Sequence, residues 1–174
     1  EIVDFENENG NAFGAFLLNG SWRESTLNRG ILADRGHSNS LSFEVTVPGS
    51  EIEYFKASYD GQYFVPIGPL TFRFRNEIGF GDGLGDTSQL PFFEHFLAGG
   101  FGSVRGFESN TLGPRSESSF SQRDDPFGGN ILFEGSVELL LPLPFLKDQR
   151  SVRAVAFYDY GNVFSSNCGN LDNC

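Results

Sequence analysis

The sequence has no methionine, little positive charge and no long apolar run. Its 12 lysine and arginine residues stand against 23 aspartate and glutamate residues, which gives a formal net charge of −11. A nucleic-acid-binding protein needs a basic surface that displaces counterions from phosphates, so this balance argues against that class. No stretch approaches the roughly 20 consecutive apolar residues of a membrane-spanning helix. The composition therefore excludes a helical membrane protein.

The first residues do not have the pattern of a leader sequence. Glu1 is not followed by the charged and apolar regions of a signal peptide. Together with the missing methionine, this predicts a mature segment or a piece of a longer protein.

Cysteine is scarce as well. The two cysteines, Cys168 and Cys174, are separated by five residues in a polar tail. This spacing is not that of a zinc or redox motif, and no histidine lies near it. It favours a small loop disulfide, which would form in an oxidising compartment. Two free thiols are the alternative.

Phenylalanine is abundant, with 20 copies against five tyrosines and one tryptophan. Many of these rings lie in segments where apolar and polar residues alternate, which is the pattern of a strand with one apolar and one wet face. No segment has a convincing helical period, so the sequence predicts an all-β fold. We predict six strands, over about residues 12–24, 41–47, 55–65, 70–80, 131–141 and 152–163.

The polar faces of these strands carry full charges in mid-strand. In a soluble β-sandwich the polar face is the outer surface, whereas a transmembrane barrel turns apolar residues to lipid and charges to a wet lumen. Long strands with Phe- and Leu-rich faces favour an antiparallel up-and-down transmembrane β-barrel, with the sandwich as the alternative. The mid-strand charges are Lys56, Asp60, Arg73, Arg75, Glu77, Glu134 and Glu138.

The connections differ greatly in length. The turns at 48–50 and 66–69 are tight, as antiparallel hairpins require, whereas residues 83–129 form one very long connection. Successive connections of an up-and-down barrel alternate sides, so the 48–50 turn, the long connection and the cysteine tail share one side. Bacterial barrels keep long loops outside. We therefore expect the long loop and the disulfide to be extracellular, and a loop of this length is usually functional.

Several blocks of sequence resemble the BamA family, the central subunits of the machine that inserts β-barrel proteins into the bacterial outer membrane. The hallmark of the sixth extracellular loop in that superfamily is matched by Val104, Arg105, Gly106 and Phe107. The resemblance extends over about residues 12–164. The further matching blocks are Leu27–Gly30, Val45–Ser50, Glu53–Lys56, Leu90–Gly100 and Ser109–Pro114.

This resemblance implies the architecture and the partners. Residues 1–174 would be an incomplete C-terminal part of a sixteen-stranded barrel in the outer membrane of a Gram-negative cell. The preceding periplasmic domains and the first and last strands would be absent. The implied partners are outer-membrane lipids, nascent β-barrel substrates and accessory lipoproteins, the last bound through the periplasmic domains. Nucleic acid is not expected.

The resemblance also implies a partner for Arg105. The loop would fold back into the lumen, where this arginine pairs with the aspartate of a Phe-x-Asp-x-Gly motif on a late strand. The alternation independently puts that aspartate on the lumen face, and an ordinary solvated loop arginine is the alternative. The motif is matched by Phe157, Asp159 and Gly161, and the candidates for a second acidic contact are Glu134 and Glu138.

Two residues beside Arg105 have expected roles of their own. Gly106 would let the backbone turn tightly, and Phe107 would anchor the loop tip by apolar packing.

Other features do not indicate an enzyme. No serine or cysteine nucleophile is placed for His95, which we interpret as a packing or hydrogen-bonding residue. The glycines at 79, 81, 83 and 85 resemble a phosphate-binding loop, but no helix follows them, so we expect strand-end flexibility. Asp124 and Asp125 are interpreted as solvated loop acids. We predict no catalytic residues, no metal site and no cofactor.

Two alternative functions remain open. One is a related superfamily transporter, such as a two-partner secretion pore or a TamA-like protein. The other is a passive porin or a secreted β-sandwich adhesin, for which the two matched motifs would have no purpose.

Overall fold

The structure is a computed structural model that describes residues 14–116, 125–143, 152–167 and 171–172. These ranges contain nine strands and one short 3-10 helix at Phe92–Glu94. No helix in them is both long and apolar enough to cross a bilayer. The strands are β1 (Leu17–Ser25), β2 (Gly36–Thr46), β3 (Tyr54–Ile67), β4 (Leu70–Gly83), β5 (Arg115–Ser116), β6 (Asp125–Pro126), β7 (Ile131–Leu141), β8 (Ala154–Phe164) and β9 (Leu171–Asp172).

The six long strands form one antiparallel sheet in the order β1-β2-β3-β4-β7-β8. β4 and β7 are direct neighbours although the long connection separates them in sequence. The three two-residue strands form a separate small sheet in the order β6-β5-β9. This up-and-down arrangement confirms the predicted all-β fold. Within the described residues the large sheet is open, with β1 and β8 at its edges.

Several strand ends differ from the prediction: β1 begins at Leu17 and not near residue 12, and β3 and β4 continue to Ile67 and Gly83, beyond residues 65 and 80. We expected the second strand to begin at residue 41, but β2 begins at Gly36 and pairs it with Phe64 of β3. The intervening residues are polar and show no alternation. They pair nevertheless because β3 runs for 14 residues, and its backbone groups need partners along that whole length.

The two faces of the large sheet differ in burial. One face, here called the apolar face, has side chains that are 38% to 46% exposed although they are apolar. The opposite face, here called the loop face, carries polar groups of β7 that are only 3% to 7% exposed. Exposed apolar side chains on one face and buried polar side chains on the other are the pattern of a membrane barrel and not of a sandwich. The apolar-face residues include Phe43, Phe74, Ile78, Phe80 and Phe133, and the buried polar ones are Glu134, Ser136 and Glu138.

The connections lie at two opposite rims of the sheet. At the rim that holds the 66–69 turn, the β1–β2 connection reaches the start of β8, where Arg153 Nη1 donates to the Ala33 carbonyl at 2.8 Å. We call this edge the short-turn rim. At the other rim the β2–β3 turn meets the long loop, since the Glu53 amide donates to Thr87 Oγ1 at 3.0 Å. The alternation of sides therefore follows the predicted order.

Candidate functional site

The long loop folds back onto the loop face of the sheet. Phe96 pairs with Gly129, and Ala98 pairs with Leu112, as isolated bridges within the loop. Below them a buried cluster joins loop and sheet, so the base of the loop is part of the folded core and not a solvated excursion. The cluster consists of Phe96, Ala98, Leu132 and Val163, with Leu112 packed against it.

A row of glycines on β4 makes room for this loop. A Cβ at Gly79 would lie 2.5 Å from the ring of Phe96, and one at Gly81 would lie 3.1 Å from the side chain of Leu90. A Cβ at Gly83 would come closer still to a neighbour, the Thr87 carbonyl oxygen. We expected strand-end flexibility here, and that interpretation is wrong: the glycines form a groove that loop side chains fill.

His95 fastens the early part of the loop. Its ring nitrogens lie 3.2 Å from the Leu90 carbonyl oxygen and 3.1 Å from that of Phe127. Burial lowers the pKa of His95 below its usual value, and the nearby Lys56 ammonium acts in the same direction, against the two carbonyls. Burial thus favours the neutral ring, which has one N–H and donates to one of these two carbonyls while lying between two distant parts of the loop.

The tip of the loop turns through glycines. Gly99 and Gly106 have φ values of +109° and +94°, in the left-handed region that favours glycine. The Gly99 amide donates to Ser103 Oγ at 2.8 Å, and Val104 beside it is 3% exposed. This turn directs the next side chain, Arg105, toward the sheet.

Arg105 meets Asp159 of β8 in a two-pronged geometry. Arg105 Nε donates to Oδ2 at 2.6 Å and Nη2 donates to Oδ1 at 2.6 Å, while the Arg105 amide donates to Oδ2 at 3.0 Å. Such a fork combines charge with directional hydrogen bonds. The carboxylate raises the pKa of Arg105 above its usual value, so the guanidinium stays charged.

Three further side chains complete the surroundings of Arg105. Its Nη2 lies 2.7 Å from Glu138 Oε1 and 2.9 Å from Ser136 Oγ. Ser136 in turn donates to Asp159 Oδ1 at 2.6 Å. The Phe157 ring lies 3.6 Å from the guanidinium carbon, which gives this motif residue a cation–π contact that the sequence did not indicate.

Glu134 contacts a different part of the loop. It accepts a hydrogen bond from Ser103 Oγ and lies 3.1 Å from Arg75 Nη2. Gly161 is its cross-strand partner, and a Cβ at that glycine would lie 2.5 Å from the Glu134 Cβ. The motif glycine is thus required for this approach. Of the two acidic candidates, Glu138 contacts Arg105 and Glu134 holds Ser103.

Two cations on the loop face also bind the loop backbone. Arg75 donates to the Gly102 carbonyl, and Lys56 Nζ donates to the Glu94 carbonyl at 2.6 Å and lies 4.7 Å from the Phe96 ring centre. The alternation assigned both cations to this face but gave them no partner. Arg73 Nε is the one buried side-chain nitrogen or oxygen without a hydrogen-bond partner in the described part of the chain.

Some predicted features lie elsewhere. Phe107 is 54% exposed, so its expected anchoring of the tip by apolar packing is not observed. Within the ranges that the structure describes, no group of three or more His, Cys, Asp or Glu residues is arranged to hold a metal. Cys168, Cys174 and Asp124 lie outside those ranges, and the predicted disulfide with them.

Comparison with known proteins gives a consistent result. The model of the Omp85 superfamily domain matches residues 3–174. Outer membrane protein assembly factor BamA of Neisseria meningitidis serogroup B is 36% identical over 156 residues, which cover 88% of this chain and 19% of that protein. The mouse sorting and assembly machinery component 50 homolog is 28% identical over 149 residues, covering 82% of this chain and 30% of that protein.

A solved structure agrees with these sequence matches. The crystal structure of BamA from Haemophilus ducreyi lacking POTRA domains 1-3 superposes with a TM-score of 0.84 at 25% identity, covering 94% of this chain and 35% of that one. The chain therefore spans about a fifth to a third of the length of these relatives.

Proposed function

Because the chain belongs to the Omp85 superfamily, we propose that it is the part of an assembly factor that folds β-barrel proteins and inserts them into the outer membrane. The protein is located in the outer membrane, as its family and the match to the BamA barrel indicate. The names of relatives from bacteria and mammals, which both refer to assembly, support assembly over transport as the activity.

The observation that carries this proposal is the contact between Arg105 and Asp159. A charged loop tip held on a barrel wall by a forked ion pair, with Glu138 and Ser136 beside it, stiffens the wall from within. The loop in this role is a structural support. We therefore propose a non-enzymatic function in which these side chains bind each other and transform no substrate.

We propose the following partners for the whole protein, beginning with those that the two faces of the sheet contact. Outer-membrane lipids contact the apolar face, while the loop face borders a wet lumen. In the proposed complete barrel, residues 1–174 supply wall and loop, and strands beyond this chain form the seam where nascent β-barrel substrates pair by strand addition. Accessory lipoproteins bind periplasmic domains that precede the barrel. The long loop and the cysteine tail face the cell exterior.

The alternatives are less well supported. A soluble sandwich adhesin would pair apolar faces across a core, whereas here one sheet leaves an apolar face exposed. Passive diffusion through a porin does not require a loop that is held on the barrel wall by an ion pair. A superfamily transporter would share the loop, so the activity itself must be measured.

The test is Arg105→Ala in the full-length protein. We expect the long loop to become protease-sensitive and the folded barrel fraction to fall, because Asp159 and Glu138 lose their shared cation. Outer-membrane protein levels in cells that depend on the variant should fall as well. The control is Arg23→Ala, at an exposed arginine of β1.

The two readouts separate structure from activity. Unchanged protease resistance of the Arg105 variant would contradict the role of the loop. A loosened loop together with normal outer-membrane protein levels would contradict the assembly function.

A further inference from the structure

A second arginine cluster lies at the short-turn rim, away from the loop. It borders a cavity of about 310 Å³, which is at the small end of the range for ligand sites. Its charged lining residues are Arg29, Arg35, Arg153 and Asp34, and the polar Thr71 also lines it. Three guanidinium groups thus surround one carboxylate, in a chain whose net charge is −11.

The Asp34 carboxylate makes only long contacts with these three guanidinium groups. Asp34 oxygens lie 3.4 Å from Arg29 Nη2, 3.4 Å from Arg35 Nε and 4.0 Å from Arg153 Nη2. At the loop anchor, by contrast, Arg105 has carboxylate oxygens at 2.6 Å and 2.7 Å. The rim cluster therefore retains donor capacity that the anchor has already used.

Asp34 and Arg153 are held in place by contacts that leave this capacity free, whereas the Arg29 and Arg35 side chains are exposed. Asn28 Nδ2 donates to Asp34 Oδ1 at 2.7 Å, and the Asp34 amide donates to Asn28 Oδ1 at 3.2 Å. Arg153, whose side chain is 12% exposed, donates Nη1 to the Ala33 carbonyl and turns Nη2 toward Asp34. The β1–β2 connection is thereby fixed with its charges at the cavity.

The opposite wall is apolar. Pro66 at the end of β3 and Pro69 in the β3–β4 turn border the cavity, as do Leu141 and Pro142 at the end of β7. A ligand here would meet guanidinium forks on one side and hydrocarbon on the other. Thr71 and Leu140 of the loop face also line the cavity, so the cavity lies on the lumen side of the rim. Short turns of bacterial barrels lie at the periplasmic boundary of the membrane, at the level of the phospholipid head groups.

We propose that this cavity binds a phosphate group, either of a phospholipid head group or as free phosphate, with Asp34 as an internal competitor. Guanidinium forks match the geometry of phosphate oxygens, and one carboxylate leaves a net positive charge for a further anion. The site does not depend on the proposed assembly function.

Calorimetric titration of the full-length protein in dodecyl maltoside, a detergent without phosphate, tests this site. The titrants are inorganic phosphate and, separately, monomeric dihexanoyl phosphatidylglycerol. Arg153→Gln and Arg29→Gln should each weaken binding about tenfold or more, since each removes a charged hydrogen bond. Asp34→Asn should strengthen binding severalfold, because it removes the competing charge and keeps an oxygen that accepts from Asn28 Nδ2. Arg23→Gln should change nothing.

The outcomes are distinguishable. Binding of both titrants assigns a free-phosphate site, and binding of the lipid alone assigns a head-group site. The proposal is overturned when the unmodified protein binds neither, when Arg29→Gln binds as well as the parent, or when Asp34→Asn binds more weakly. Tighter binding of a hexaglutamate peptide than of either titrant would also overturn it. If loss of the Ala33 contact prevents Arg153→Gln from folding, the other two variants decide.

Discussion

The loop face and the apolar face of the same sheet obey opposite rules of burial. On the loop face, Glu134 and Glu138 are almost fully buried, yet each has a cation within 3.1 Å. On the apolar face, Phe43 and Phe133 are each 46% exposed. The comparison shows that polar contacts stabilise this sheet on the loop face, whereas the apolar face suits an apolar environment such as lipid. Three substitutions and a change of pH test that difference, in decreasing order of expected effect.

The largest effect is expected from Asp159→Ala on the loop face. It removes one partner of a largely buried pair, in which the Asp159 side chain is 3% exposed, and leaves Arg105 without its forked acceptor. Loss of one partner of a buried pair costs about 3–5 kcal/mol. Urea unfolding of the full-length protein in vesicles measures this. A loss within the range of a surface pair, below about 1 kcal/mol, would contradict the anchor.

The next effect is expected from Ile78→Arg on the apolar face. A charged residue in the lipid-facing part of a barrel costs about 2–4 kcal/mol at the bilayer midplane. The matched control is Ser42→Arg on the loop face, where a wet lumen can solvate the charge, so the loss should be much smaller. Equal losses for the two variants in the same vesicles would show that the faces do not differ as described.

A smaller effect is expected in the glycine groove. Gly79→Ala brings a Cβ to 2.5 Å from the Phe96 ring, and overpacking of this kind costs about 1–3 kcal/mol. The control is Gly20→Ala in β1, where nothing lies within 4 Å of the added atom. Protease sensitivity of the loop should rise in the first variant and stay at the parent level in the second. Equal behaviour would contradict close packing of loop and strand.

The smallest effect is expected from acidification. Since burial lowers the pKa of His95, the unfolded protein binds more protons than the folded one between the lowered value and about 6.5. The contribution of His95 is therefore complete above a pH of about 6.5 and is lost as the pH falls through the lowered value. Loop protease resistance, measured from pH 7.5 to 5, should decline in the parent. A decline of the same size in His95→Gln would refute this origin.

Much of the fold could be predicted because strand alternation is a local property. Successive side chains of a strand point to opposite faces, so Lys56, Arg73 and Arg75 had to share a face with Glu134 and Glu138. Strand ends were less predictable. The polar stretch at 36–40 carries no alternation and joins β2 only because β3 continues beside it.

Individual contacts could be predicted less often. Asp159 could be proposed for Arg105 because a matched motif and the alternation agreed, whereas the choice of Glu138 over Glu134 depends on register. β7 and β8 pair Ser136 with Asp159 and Glu134 with Gly161. A shift of the pairing would exchange these neighbours. The glycines of β4 were misinterpreted because a residue without a side chain gives no sign of what fills its space.

The sequence by itself determined that this protein is a sheet of long strands with one apolar and one charged face, and that it carries a long loop. That conclusion needs only the two-residue period of a strand and the positions of the turns. The tertiary structure decided which carboxylate each cation meets, what occupies the glycine groove, and that Arg153 meets Ala33 across 120 positions of the chain. The physical reason is that strand register and the path of the loop set the distances between side chains, and these are known only once the sheet has formed.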